Sequence, residues 1–129
     1  GARLRRVREL MRQADAMPLA DPAMPMHRAL LVMTEKRWGI VGVVSPEGRL
    51  LGAITDGDLR RKIDGLLDRT AGEVMTPGPK KVAPPGMLAG EALAFMSDPA
   101  PAVLVLFVVE GGKPVGILHV HDLLRAGVM

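Results

Sequence analysis

The chain has 129 residues, 48% of them apolar, with no cysteine, one tryptophan, two phenylalanines, no tyrosine and a formal net charge of +3. This composition excludes a disulfide framework, cysteine-ligated zinc and thiol catalysis. So few rings disfavour a stacking platform for single-stranded nucleic acid, while the mild positive balance favours anionic ligands or partners.

The longest apolar run, Ala102 to Val109, falls well short of the roughly 20 residues a membrane helix needs. The N-terminus has no hydrophobic signal core, so a cytoplasmic location is expected. In chain order, Leu4, Val7, Leu10 and Met11 share one face of an expected helix over 3–14, with arginines around the rest. Residues 15–25 hold three prolines and read as extended or looped. Residues 26–37 read as a helix with Ala29, Leu30 and Met33 inward. Ile40–Val44 and Arg49–Thr55 flank Ser45-Pro46-Glu47-Gly48 and read as a hairpin, followed by a short helix over 58–63.

The pattern then restarts. Thr70-Ala71-Gly72-Glu73 fits a capping box opening a helical turn. A short strand is expected over 81–83, a helix over 87–96, strands over 103–109 and 113–119, and a helix over 121–126 ending at Gly127. Gly52 and Gly116 lie 64 apart, as do Asp58 and Asp122, Leu59 and Leu123, and Arg61 and Arg125. The helices before them align with a spacing of 63. This is an internal repeat of strand, helix, two strands, helix. One unit of about 60 residues buries too little surface to stand comfortably alone, so the two are expected to share a core.

Each repeat carries a strand, a polar corner and a helix N-terminus. In the first, Gly52 admits a close approach to the strand backbone, Thr55 supplies a hydroxyl, and the helix amides favour phosphate. Asp58 suits a ribose diol. The same residues also make an ordinary helix cap, and the two roles are compatible.

Gly-x-x-Thr-x-x-Asp at a strand–helix corner, repeated once, resembles a tandem CBS domain pair, a Bateman module, over nearly the whole chain. Thr55-Asp56-Gly57-Asp58-Leu59-Arg60-Arg61, Glu73-Val74-Met75-Thr76-Pro77 and Gly116-Ile117-Leu118-His119-Val120-His121-Asp122-Leu123-Leu124-Arg125-Ala126-Gly127-Val128 are similar to the C-terminal part of D-arabinose 5-phosphate isomerases of the KpsF/GutQ type. The resemblance implies an α/β (α+β) fold of two βαββα repeats with pseudo-twofold symmetry. It divides the chain into a lead-in helix or linker (1–14), a first repeat (15–66) and a second (67–129). It also implies an upstream sugar-isomerase (SIS) domain in a longer protein, in keeping with the glycine at position 1. That domain would hold the catalytic residues, so this chain is expected to be a regulatory part and not itself an enzyme. The parent reaction would interconvert D-ribulose 5-phosphate and D-arabinose 5-phosphate on the way to Kdo, for lipopolysaccharide or capsule.

The expected ligand set is Gly52, Thr55, Asp56, Asp58, Arg60 and Arg61 at the first corner, and His119, His121 and Asp122 at the second. No catalytic residue and no required cofactor are expected. The ligand is an adenylate (AMP or ATP) or a nucleotide sugar such as CMP-Kdo, whose sugar acid would suit Arg60, Arg61 and His119. His119 stands where the first corner has threonine, so the second cleft binds a different ligand or none. His119 and His121 with Asp122 suggest a metal site only weakly, since a well-placed third ligand is not evident and no cysteine helps, and no metal is expected. The resemblance implies a homodimer, while a short basic helix over 3–14 without base-reading or stacking residues, and the lack of a long apolar run, leave no nucleic-acid or membrane partner expected. The alternative is an oligomerisation module that binds nothing.

Overall fold

The β-branched run Ile40–Val44 can fold back on the next strand only through a residue tolerant of positive φ. A computed structural model describing residues 1–129 places Gly48 there at φ +86°. Gly111 and Gly112, at φ +60° and +79°, close the corresponding hairpin of the second repeat. In chain order the elements are α1 (Val7–Leu10), β1 (Leu19–Ala20), α2 (Met26–Lys36), β2 (Ile40–Val44), β3 (Leu50–Thr55) and α3 (Asp56–Arg61). There follow α4 (Ala71–Val74), β4 (Thr76–Pro77), β5 (Val82–Ala83), α5 (Ala89–Ser97), β6 (Val105–Glu110), β7 (Lys113–His119) and α6 (Val120–Arg125).

The chain folds as two compact units, one of residues 18–79 and one of residues 1–17 with 80–129. The first contains a four-stranded sheet in the order β1-β2-β3-β4, with β1 parallel to β2 and the other pairs antiparallel. The second contains a three-stranded sheet, β5-β6-β7, with a parallel and an antiparallel pair. Each therefore carries the expected βαββα order.

The apolar period of α2 turns Met26, Ala29 and Met33 onto Val41, Val43 and Ile54, which together form the core of unit 18–79. In the other unit Ala89, Ala92 and Met96 of α5 pack with Leu106, Val108 and Leu118. Arg37 ends α2 in the left-handed conformation, at φ 63°. The capping box at Thr70 forms as expected: its hydroxyl accepts from the Glu73 N–H, and Glu73 accepts from the Thr70 N–H at 2.9 Å.

A single helix over 3–14 does not form. Ala2–Leu4 is a 3-10 turn, Arg5 and Arg6 are extended, and α1 lasts only four residues before Met11 returns to extended backbone. The reason is not local. Arg12 exchanges backbone hydrogen bonds with Ile117, its N–H donating at 2.9 Å and its carbonyl accepting at 2.8 Å. Val7 is fully buried in the core with Leu118 and Leu123. A continuous helix would forgo the strand-like pairing.

Candidate functional site

At the first corner β3 runs straight into α3, and the residue between them must satisfy first-turn N–H groups that no helical carbonyl reaches. Thr55 does this with its hydroxyl, accepting from the Asp58 N–H at 3.4 Å. Asp58 answers by accepting from the Thr55 N–H at 2.9 Å, completing a capping box.

Asp58 is the chain's one buried charged residue, 2% exposed. Its second oxygen accepts from Arg61 at 2.9 Å and from the Thr76 hydroxyl. Burial pushes its pKa up, but donation from Thr76, the Thr55 backbone, Arg61 and the Thr55 hydroxyl outweighs this and holds it below the usual 3.8. The carboxylate is thus ionised at neutral pH and already surrounded by donors. A ribose diol reaching Asp58 has to replace Thr76 or Arg61.

Gly52 permits a close approach, and β4 makes it. A Cβ at position 52 would lie 2.6 Å from the Thr76 carbonyl oxygen and 2.7 Å from the Met75 sulfur. Asp56 is exposed at the first turn of α3. Arg61 joins the corner with its side chain 67% exposed, and Arg60 is exposed on the same short helix. Lys62, third in the basic run, donates to the Val74 carbonyl at 2.8 Å and ties α3 to α4.

The second corner repeats this scheme with different chemistry. His119 caps α6 through Nδ1, which accepts from the His121 N–H at 3.0 Å. Asp122 accepts from the His119 N–H at 3.1 Å, from Arg125 at 2.7 Å and from Arg12 at 3.4 Å. Burial pushes the His119 pKa below its usual value. Neighbouring His121 and Arg125 push the same way, against Asp122. The rings of His119 and His121 lie 4.4 Å apart between centroids, tilted by 40°. The geometry brings together no group of three or more His, Asp or Glu side chains suited to a metal ion.

Two participants were not singled out from sequence: Thr76 at the first corner and Arg12 at the second. They occupy equivalent places. Thr76 pairs with Ala53 in the first sheet, and Arg12 bridges Ile117 beside the second. Thr76 and Arg12 lie 64 apart, as do Ala53 and Ile117. The signal was legible, since Glu9-Leu10-Met11 matches Glu73-Val74-Met75 at the same spacing. Hence α1 is the counterpart of α4, and Met11 lies against Gly116 as Met75 lies against Gly52.

The CBS domain profile matches residues 7–65 and 71–128, each match opening at one of these short helices. The chain belongs to the CBS domain family. It is a tandem pair, and its curated relatives are longer proteins. Arabinose 5-phosphate isomerase KdsD of Escherichia coli K12 is 38% identical over 98% of this chain and 38% of its own length. The uncharacterised protein RP505 of Rickettsia prowazekii is 36% identical over 99% of this chain and 40% of its own length. The CBS pair thus spans about two fifths of these relatives. Among solved structures, CBSX2 in complex with AMP superposes with a TM-score of 0.79 and 24% identity, covering 95% of each chain. CBSX2 is a CBS-pair protein of Arabidopsis thaliana. At that identity the likeness shows the fold. No helix of the pair is long and apolar enough to cross a membrane.

Proposed function

We propose that this CBS pair is the ligand-sensing regulatory part of a sugar-phosphate isomerase of the KdsD kind. The observation that carries the reading is the likeness to KdsD over 98% of the chain, joined to a corner whose chemistry suits phosphate and ribose. The catalytic SIS domain lies upstream in the longer protein, and the parent reaction is the interconversion of D-ribulose 5-phosphate and D-arabinose 5-phosphate, in the supply of Kdo for lipopolysaccharide or capsule.

Gly52, Thr55, Asp56, Asp58, Arg60 and Arg61 receive the ligand, with Asp58 accepting from the ribose. An AMP complex of a protein with the same fold supports an adenylate, AMP or ATP. The exposed guanidinium groups of Arg60 and Arg61 suit the sugar acid of CMP-Kdo, the second ligand proposed. At the second corner, where His119 replaces the threonine beside His121 and Asp122, the cleft takes a different ligand or none. Binding acts by favouring one arrangement of the pair relative to the isomerase domain.

Calorimetry with AMP, ATP and CMP-Kdo tests this. One of them should bind saturably, and Asp58→Asn and Arg61→Ala should each weaken it, the former by about tenfold or more. The absence of heat with all three would refute the reading.

A purely assembling role is the second reading, favoured by one observation. Leu30, Ile63, Leu66 and Leu67 line an open groove of about 470 Å³ in unit 18–79, with Leu31, Ile63 and Leu67 more than 60% exposed. Such exposed apolar surface suits a homodimer. Sedimentation should give a dimer that Leu67→Asp dissociates. A dimer with no nucleotide binding would favour this reading over the first.

A further inference from the structure

The two corners close their helices with different atoms. The Thr55 hydroxyl does not titrate near neutral pH. His119 uses an imidazole nitrogen, which accepts from the His121 N–H only while it is bare. A second proton turns Nδ1 into a donor facing another donor. The capping species is therefore the neutral ring with its proton on Nε2.

The charged groups at this corner bear on the same choice. From α6 come His121, with its ring 4.4 Å away, Arg125 and Asp122. From the N-terminal segment comes Arg12, which reaches Asp122 at 3.4 Å. The positive end of α6 opposes a cation as well. Asp122 favours one, but its oxygens already serve the His119 N–H, Arg125 and Arg12.

We propose that His119 is a proton-sensitive cap: neutral, it holds the first turn of α6, and protonated, it releases that turn. Burial of the ring, which disfavours the cation, agrees with this. Because Asp122 sits in the same turn, release also loosens its hold on Arg12 and the segment that crosses Gly116. The first corner, capped by threonine, stays closed over the same pH range. The second corner thereby answers to acidification and the first does not. The inference concerns the chain's own protons and holds whether or not a nucleotide binds.

The amide of His121 reports the cap directly, because its N–H bonds to His119 Nδ1. Hydrogen exchange followed by NMR between about pH 7.5 and pH 5, corrected for intrinsic exchange, tests the device. Protection of the residue-121 amide should fall about fivefold across that range, while protection of the Asp58 amide stays level. Asn caps helices without titrating, so His119→Asn should hold protection constant with pH. His121→Gln removes the neighbouring imidazole and should leave the titration in place. Equal pH responses at the two corners would overturn the proposal. So would a titration that survives His119→Asn or disappears with His121→Gln.

Discussion

The bond between Thr76 and Asp58 joins β4 to the first corner, and its strength can be isolated. Asp58→Ala removes acceptors from the Thr55 N–H, the Thr55 hydroxyl, Arg61 and Thr76. A hydrogen bond to a charged group contributes about 1.5–3 kcal/mol, yet exposed donors regain water when released. Arg61 is 67% exposed at its side chain, so its share is about 0.5 kcal/mol. The threonine donors carry most of the remainder, and the expected total loss is about 2–3 kcal/mol. Thr76→Val keeps the shape of the side chain and removes one donor, costing about 1 kcal/mol. In a double-mutant cycle the Asp58–Thr76 coupling should be about 1 kcal/mol and should exceed the Asp58–Arg61 coupling. Trp38, the only tryptophan, lies in the same unit, so urea unfolding followed by its fluorescence reads the relevant transition. Additive Asp58 and Thr76 effects, or a stronger coupling to Arg61, would refute the reasoning.

Gly52→Ala should destabilise its unit by about 1–3 kcal/mol, since the new methyl meets a backbone carbonyl at 2.6 Å. Gly116→Ala should cost less, because its nearest contact is the flexible end of Met11; thermal melts of both variants check the order. Asp58 has a folded-state pKa below 3.8, so the unfolded chain takes up its proton first. The stabilisation is complete above about pH 4 and is lost as pH falls further, and Asp58→Asn should remove that part of the acid slope in urea titrations. His119 is also depressed from its usual 6.5, so its contribution is full above that pH and shrinks as pH falls below it. His119→Asn should flatten stability between about pH 7 and pH 5.

Both hairpins were legible because apolar strand segments bracket turn residues, and both bear their glycines at positive φ. The corner at Thr55 and Asp58 was legible because a capping box is a local code, four residues long. The segment 3–14 misled. Leu4, Val7, Leu10 and Met11 satisfy a helical period, but Met11 and Arg12 are claimed by the bare backbone at Gly116 and by Ile117, over 100 residues away. Propensity carries no information about such pairing. The bond from Thr76 to Asp58 has no local code for the same reason, since 18 residues separate the two. The repeat held the missing information, in Glu9-Leu10-Met11 and Glu73-Val74-Met75.

Ligand sensing at the first corner is tested most directly by amide NMR during titration with AMP, ATP and CMP-Kdo. One of them should produce saturable shifts centred on Gly52, the Thr55–Asp58 turn and Thr76, which with Arg61 is one of the two donors a ribose could displace. Unmoved amides there with all three ligands, or shifts confined to other parts of the chain, would contradict the account.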